Sequence, residues 1–502
     1  MSARKVIAVV IGEQTQTGGT DDERRFSDAG FILKMTDPDR PNEIFRGVIL
    51  PGEIDLSLEV GCVFWGNKST FNFGAIDINN AAREFDAFAS VLMQDRTIEV
   101  RVGDPLDDWA DWVIEYTGVV DNVEFLGDIC RINVASAEAL LDRPLNAAVY
   151  STSANASIIG KTVPYGIGAP LNVPALARVP ATLHYDIGYD AALVRDNGVA
   201  LTVTTQWTAN GTGFQLLVQP EGRITADMVR TPDSVETTTR SHYIQGFIEV
   251  LLEKLGLDGG LYDDTDSPSA LGYKYAFHAT QPITAANVMN GLAQSIGGFW
   301  WFDALGKLRI RQLVAPAGTA DLVIPTTWFS LGAAINSPPD LMPGYSDTCL
   351  GQRNWHVNGP TEIANSLTSP TLLQIALDLQ ADYRISKISA ASAGSNANEK
   401  EKEKNDGARV NGKYPGIGTY LTEAADIQAE ATRWGTLRNT ARRFYDLPLI
   451  AHASVLALQI GQTVEVTAPG TPAPLGLTAK KLVVIGWKRN IRASETILKC
   501  WG

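Results

Sequence analysis

The sequence holds little of what reactive sites are built from. Its 502 residues include four cysteines, Cys62, Cys130, Cys349 and Cys500, far apart and without a C-x-x-C pair. That spacing excludes a disulfide framework and a thiolate zinc site, and leaves buried free thiols as the reading. The five histidines, His184, His242, His278, His356 and His452, show no H-x-x-x-H or H-x-H spacing. G-x-S-x-G, a phosphate loop and H-E-x-x-H are missing as well, so no cofactor, metal or catalytic pair is expected. No run of about eighteen apolar residues occurs, and no helical membrane span is expected. Met1–Ile11 has two basic residues and a short apolar stretch, but no small-residue cleavage site follows. It reads as a first β-strand rather than a signal peptide.

What is present fits a folded chain of roughly three domains, with 45 % hydrophobic and 20 % charged residues. The net charge of −14 is unevenly placed. Residues 1–150 contain 13 of the 42 Lys+Arg and 26 of the 56 Asp+Glu, a net of −13, so residues 151–502 carry 29 against 30, a net of −1. This asymmetry argues against stationary nucleic-acid binding and places an acidic surface on the first domain.

The pattern is that of a multi-domain, β-rich α+β protein, with two β-barrel-like domains flanking a mixed middle. Residues 1–150 show short alternating runs at Phe31–Met35, Ile54–Val60, Thr97–Val102 and Ile129–Val134. Trp112–Tyr116 and Val119–Phe125 read as two strands around Thr117-Gly118, and Ala81–Met93 as the single helix. Residues 151–180 are an extended Gly/Pro connector arm. Residues 181–345 are mixed, with helices expected at Tyr243–Leu255, stopped by Gly256, and at Thr284–Ile296, capped by Thr284. Residues 346–502 read as a second β-barrel-like domain with a helix near 422–445. The run Glu399–Lys404 alternates charge with period two and reads as a solvated loop.

Two acidic stretches invite a metal reading. Asp104-Pro-Leu-Asp107-Asp108-Trp109-Ala-Asp111-Trp112 lacks the alternate carboxylates and bend glycine of a calcium loop, and Gly256–Asp266 is equally weak. The block Phe299–Phe302 fits a buried strand better than a stacking platform for sugars or bases.

Four stretches in order resemble the phage tail-tip and baseplate-hub family. They are Ala139-Leu-Leu-Asp-Arg-Pro-Leu145 with Gly160-Lys-Thr-Val-Pro164 and Asn172-Val-Pro174; Pro220-Glu-Gly-Arg-Ile-Thr-Ala-Asp227 after Val194-Arg-Asp-Asn-Gly-Val; Ile296-Gly-Gly-Phe-Trp-Trp-Phe-Asp-Ala-Leu-Gly-Lys-Leu308; and Leu458-Gln-Ile-Gly461 with Gly476-Leu477, Val484-Ile-Gly486 and Trp501-Gly502. Met228-Val-Arg-Thr departs from the pattern, and residues 1–50 lie outside it. The resemblance implies a structural subunit similar in plan to the trimeric hub of contractile tails, located in the virion after synthesis in a host cytoplasm. Two barrels per chain would give a homotrimer a pseudo-sixfold ring. Its partners would be the tail tube or a distal tail protein, and other tip or fibre proteins. DNA would pass transiently without stable binding, and the chain itself would insert into no membrane. Gly461 and Gly486 are expected as barrel turns.

Two rival functions remain at this level, a carbohydrate-binding or cell-surface adhesin module and a cell-wall hydrolase. The charge asymmetry points to Asp77, Asp86, Asp121 and Asp128 as acids lining the ring lumen. The loop Asp107, Asp108, Trp109, Asp111 and Trp112 is expected to meet a neighbouring protein, because two tryptophans suit an interface better than a water-filled channel.

Overall fold

The computed structural model describes residues 6–12, 15–16, 19–20, 23–51, 55–62, 69–89, 93–94, 96–151, 155–229, 243–265, 272–330, 334–336, 348–364, 369–388, 416–437, 440, 442–450, 452–468, 477–490 and 495–502. The run Glu399–Lys404 lies outside them.

The alternating strands of the first 150 residues form an eight-stranded sheet. Its order is Phe31–Ile32, Ile44–Gly47, Arg24–Ser27, Val6–Ile11, Thr97–Gly103, Val113–Leu126, Ile129–Ser136 and Ala75–Asn79. The ladder of named strands is open, but one segment spans its gap. Ile44–Gly47 runs parallel to Arg24–Ser27, and the chain just beyond it reaches the far edge. There Ile49 bridges Ile78, Leu50 N–H donates to the Asp77 carbonyl at 2.8 Å, and Asn79 N–H donates to the Val48 carbonyl at 2.8 Å.

The last part of the chain repeats this device. Its sheet runs Leu322–Ile324, Thr463–Val466, Lys480–Asn490, Glu495–Trp501, Phe444–Ile450 and Ala334–Asn336. Leu322–Ile324 lies parallel to Thr463–Val466 at one edge. Beyond it, Phe329 bridges Leu449, and Ala334–Asn336 pairs antiparallel with Phe444–Ile450 at the other edge. In both sheets one segment therefore enters by a parallel pairing and leaves by an antiparallel one.

A strand from early in the chain completes this closing sheet. Asp55–Glu59 pairs antiparallel with Gly486–Asn490, and Thr70–Phe73 pairs on its far side. The expected first block, 1–150, thus lends residues 55–73 to the other end of the molecule. Leu56 and Leu58 point into one core that also takes in Ile76, Ile132 and Val100 of the first sheet and Leu447, Val484 and Trp501 of the closing sheet. Gly486 sits mid-strand rather than in the expected turn. A Cβ there would lie 2.4 Å from the Leu58 carbonyl oxygen, so the crossing strands need its missing side chain. Gly461, with φ of +85°, does occupy a turn.

Three local expectations are corrected. Val113–Leu126 is one strand, shifted in register by bulges, and Gly118 lies within it because a Cβ would meet the Ala135 carbonyl at 2.6 Å. The helix expected over 81–93 is a single 3-10 turn, Asp86–Ala89. Arg83 adopts φ of +60°, and Phe85 N–H donates to the Asn80 side chain, which together break helical continuity. The helix near 422–445 is Ala424–Leu437, and Phe444–Ile450 is a strand because it pairs with Glu495–Trp501.

The middle is built as expected around two helices, Ile244–Lys254 and Ala285–Ser295, and Thr284 caps the second by accepting from Asn287 N–H. They pack with Ala424–Leu437 in a second core. The connector arm contributes strands to three small sheets: Tyr165–Gly168 pairs with Ala276–Ala279, Val173–Pro174 with Ile224–Met228, and Leu176–Val179 with His184–Asp186.

The shared core yields a stability prediction. Leu58→Ala is expected to cost about 3 kcal/mol. Hydrogen exchange should speed up together in Ile129–Ser136 and Glu495–Trp501. Acceleration confined to one strand would show that the two sheets hold separate cores.

Candidate functional site

The four acids proposed from sequence sit on four elements: Asp77 on Ala75–Asn79, Asp86 in the 3-10 turn, Asp121 at the bulge of Val113–Leu126 and Asp128 in the turn after it. Asp77 and Arg131 are register partners on neighbouring strands, and the guanidinium donates to both carboxylate oxygens at 2.7 and 2.9 Å. Those hydrogen bonds hold the Asp77 carboxyl below its ordinary pKa. Glu124 is the register partner of Arg131 on the next strand, which makes a carboxylate–guanidinium–carboxylate row. Asp86 accepts from Asn80 Nδ2 at 2.8 Å. Asp128 lies 3.6 Å from Arg83, and Asp121 is exposed beside the bulge. Asp86, Asp121 and Asp128 are thus exposed and Asp77 half-buried, and arginines partly neutralise Asp77 and Asp128.

The 104–112 loop departs from expectation. Trp109 and Trp112 are each only 3 % exposed, so they offer a partner no contact area. They build a small outer core instead, laid over Val6, Ala8 and Val10 on the outer face of the first strand. Four rings close on one another: Trp112 on Phe31 at 5.2 Å, Phe31 on Phe45 at 4.7 Å, Phe45 on Trp109 at 5.1 Å and Trp109 on Trp112 at 5.3 Å. Arg101 and Arg40 lie over Trp109 at 4.6 and 5.3 Å. Asp37 fixes the loop by accepting from Trp109 N–H at 2.7 Å. Asp107 and Asp111 remain exposed, and Asp108 pairs with Lys34 at 2.8 Å.

Sequence reasoning missed what this scaffold carries. Ile32, Met35, Ile44 and Leu106 are 60, 74, 61 and 81 % exposed. The available signal was the alternation Phe31-Ile32-Leu33, which with its outer residues inward must turn Ile32 outward.

A cleft of about 720 Å³ lies where the two large sheets and the middle hairpin meet. Val113, Leu305, Leu456 and Trp487 line it, and Glu115 and Arg489 approach to 3.7 Å within it. Its described lining holds no array of nucleophile and base. Among the described residues no group of three or more His, Cys, Asp or Glu is placed to hold a metal ion. In the Gly256–Asp266 stretch, Arg309 pairs with Asp263 at 2.8 Å and also with Asp303 at 2.7 Å, so a guanidinium occupies the place a cation would take. All four cysteines are buried and free. Burial pushes the Cys130 thiol up to about 11 and the Cys349 thiol to about 12, far from a nucleophile's range. Phe299, Trp300, Trp301 and Phe302 are all buried, so they present no face to a sugar.

No protein-family model matches the sequence, and no curated protein matches it. Solved structures similar to the chain include tail proteins and a component of a virion. One is the 43 kDa tail protein of prophage MuSo2 from Shewanella oneidensis, 10 % identical, with 98 % of each chain covered and a TM-score of 0.40. A second is the tail protein from Neisseria meningitidis MC58, 10 % identical, covering 99 % of this chain and 96 % of that one at a TM-score of 0.35. A third belongs to the virion of a native gene transfer agent particle, 13 % identical, covering 73 % of this chain and 91 % of that one at a TM-score of 0.40.

One titratable group outside these surfaces sets a pH limit. His278 is buried on the strand that pairs with the connector arm, its Nε2 3.0 Å from the Ile187 carbonyl. Burial lowers its pKa from 6.5 to about 4, against the opposing pull of that carbonyl. In this window the unfolded chain binds a proton that the folded chain refuses. The stability His278 allows is therefore fully present above pH 6.5 and is lost as pH falls toward 4. The loss is roughly 3 kcal/mol. His278→Gln should flatten the fall in unfolding free energy between those limits, and denaturant titrations at stepped pH would check it. An unchanged slope would show that His278 takes up its proton without penalty.

Proposed function

We propose that the chain is a structural subunit of a phage-type tail, placed at the tail tip or baseplate hub. Three copies form a closed ring that continues or closes the tail tube and attaches distal tip or fibre proteins. The observation that carries this reading is the repeated device: two β layers in one chain, each spanned by a segment paired parallel at one edge and antiparallel at the other. A chain with two similar layers lets a threefold assembly present six similar units to a sixfold tube. The ordered resemblance over residues 139–502 supports the same reading.

The ring acts by shape and charge, without catalysis. Heterologous contacts close into a ring when their rotation permits. The acidic excess of residues 1–150 serves a passage that DNA must cross without sticking, because each lysine or arginine offered to phosphate adds salt-dependent affinity. We place Asp77, Asp86, Asp121 and Asp128 toward that passage.

Purified chain is expected to sediment as a homotrimer and to show a closed threefold ring by electron microscopy. A stable monomer or a hexamer of this chain would overturn the ring. Replacing Asp121 and Asp128 by lysine is expected to make the ring retain duplex DNA, with retention falling steeply as salt rises. Unchanged retention at low salt would remove these acids from the passage. No cleavage of peptidoglycan or polysaccharide by the pure protein is expected.

A further inference from the structure

Arg384 is a largely buried cation whose surroundings leave it short of acid. Its side chain is 16 % exposed, and its Nε donates to the neutral Asn354 Oδ1 at 2.8 Å. The Asp227 carboxylate stands 3.9 Å from Nη2, but Arg195 already holds it through two bonds of 2.7 Å. Nη2 itself has no hydrogen-bond partner among the described residues. Burial draws the Arg384 pKa below its ordinary value; Asp227 opposes this, and Arg195 adds to it. Asp378 exerts the smallest pull of the three, and its carboxylate takes Gln374 Nε2 at 2.7 Å. Two guanidiniums thus share one buried carboxylate, and a buried charge without its own partner is costly.

Both arginines line a cavity of about 290 Å³ whose walls are mostly aliphatic. Leu193 stands two positions before Arg195 on the strand Ala191–Asp196, hence on the same face, and Val199 follows on the return strand. Opposite them lies the helix Pro370–Leu379, begun by Ser369, whose side chain accepts from Leu372 N–H at 3.2 Å. Leu372, Ile375 and Leu379 fall on one face of that helix and line the cavity. Leu379 is buried, whereas Leu372 and Ile375 remain 36 and 38 % exposed. The two exposed side chains mark the mouth, and the buried arginines mark the inner end.

This arrangement selects its ligand by charge and shape. One unmatched guanidinium calls for a monoanion. A phosphate dianion would meet Asp227 and Asp378 with too few donors, because Arg195 is already engaged. A planar carboxylate suits guanidinium N–H groups, and the aliphatic walls suit a short hydrocarbon body.

We propose that this cavity binds an aliphatic carboxylate, its oxygens accepting from Arg384 and its hydrocarbon body lying between Val199 and the pair Leu372 and Ile375. A free short-chain acid offers that chemistry, and so does the C-terminal leucine of a polypeptide. The site stands independently of the ring.

The test titrates the full chain with 4-methylpentanoate and with 4-methylpentanamide, read by ligand-observed NMR. A ligand this small is expected to bind with a Kd on the order of 1 mM. The amide, which lacks the charge, should bind about tenfold more weakly. Ile375→Glu places a carboxylate at the mouth of the cavity and should weaken binding of the acid by about tenfold. Arg384→Gln should do the same. Because Arg384 also holds Asn354, Ile375→Glu decides the matter if Arg384→Gln alters thermal melting. Equal binding of acid and amide, acid binding unchanged in Ile375→Glu, or no binding of the acid at millimolar concentration would each overturn the proposal. A second arm compares a short peptide ending in leucine with its C-terminal amide. A free-ended peptide that binds as tightly as the acid identifies a polypeptide terminus as the source, and binding of the small acid alone identifies a free acid.

Discussion

The rest of the architecture depends on the pairing of Asp55–Glu59 with Gly486–Asn490. It joins residues more than four hundred positions apart and makes the first and last sheets neighbours over one core. Leu58 lies opposite Trp487, whose ring meets Phe71 edge-on at 5.7 Å, and Phe71 in turn meets Tyr116 of the first sheet at 4.9 Å. Apolar contact therefore runs unbroken from one sheet to the other. Lys499 pairs with Glu59 at the rim, and Arg489 stacks over Trp487 at 4.2 Å while facing Glu115. Closing so long a loop costs entropy before any contact rewards it, so the apolar strand Leu56–Leu58 must wait for the end of the chain. The two large sheets consequently form as one unit.

The middle of the chain joins the shared core through Phe299, Trp301 and Leu313, and buried charge fixes how its elements dock. Glu430 is fully buried in Ala424–Leu437 and pairs with Arg433 one turn on at 2.8 Å. The same guanidinium donates to the Leu313 and Ile296 carbonyls, so it also satisfies the end of the Ala285–Ser295 helix. A second lock ties the arm to the last third. Arg195 holds Asp227 by two bonds of 2.7 Å, Asn172 N–H adds a third at 2.8 Å, and Asn172 Nδ2 reaches Asn358 at 2.8 Å. Burial alone would raise the Asp227 carboxyl, but these donors outweigh it and hold the pKa below its ordinary value. Such pairs contribute little net stability against an apolar replacement. Their value here is register: only one docking of arm and middle satisfies all the donors.

What could be read from sequence follows the range of the force involved. Short-range signals were legible: Thr284 as a cap, Gly256 as a stop, and the alternating runs that form the strands Thr97–Gly103 and Ile129–Ser136. The β-rich α+β class followed from them. Errors arose where a distant partner decided. Phe444–Tyr445 continues a helical pattern, yet pairing with Cys500–Trp501 makes it strand. Ala81–Met93 has a helical stripe, yet Arg83 turns left-handed, and Phe85 and Phe88 instead insert against Phe26 at 5.6 and 6.4 Å. The acids Asp77 and Asp128 could be named from net charge, but their neutralisation by Arg131 and Arg83 could not, because it requires knowing which strands adjoin. Trp109 and Trp112 signalled an important loop. That their rings face inward, and that Leu106 faces out, depends on the strand pair at Phe31–Ile32 and Ile44–Gly47.

Charge pairing also explains why the first domain stays so acidic on its surface. Its basic residues are largely engaged by nearby acids: Arg40 by Glu23 and Glu43, Arg131 by Asp77, Arg101 by Glu99 and Lys34 by Asp108. Exposed pairs of this kind add little stability, so they are poor grounds for retaining so many acids. With 13 bases against 26 acids in residues 1–150, the excess has no counterpart within its own domain, and Asp107, Asp111 and Asp121 are left facing solvent. Folding alone would favour a balanced surface, because self-repulsion opposes compactness. An unbalanced one accords with the passage proposed above, whose wall has to repel phosphate.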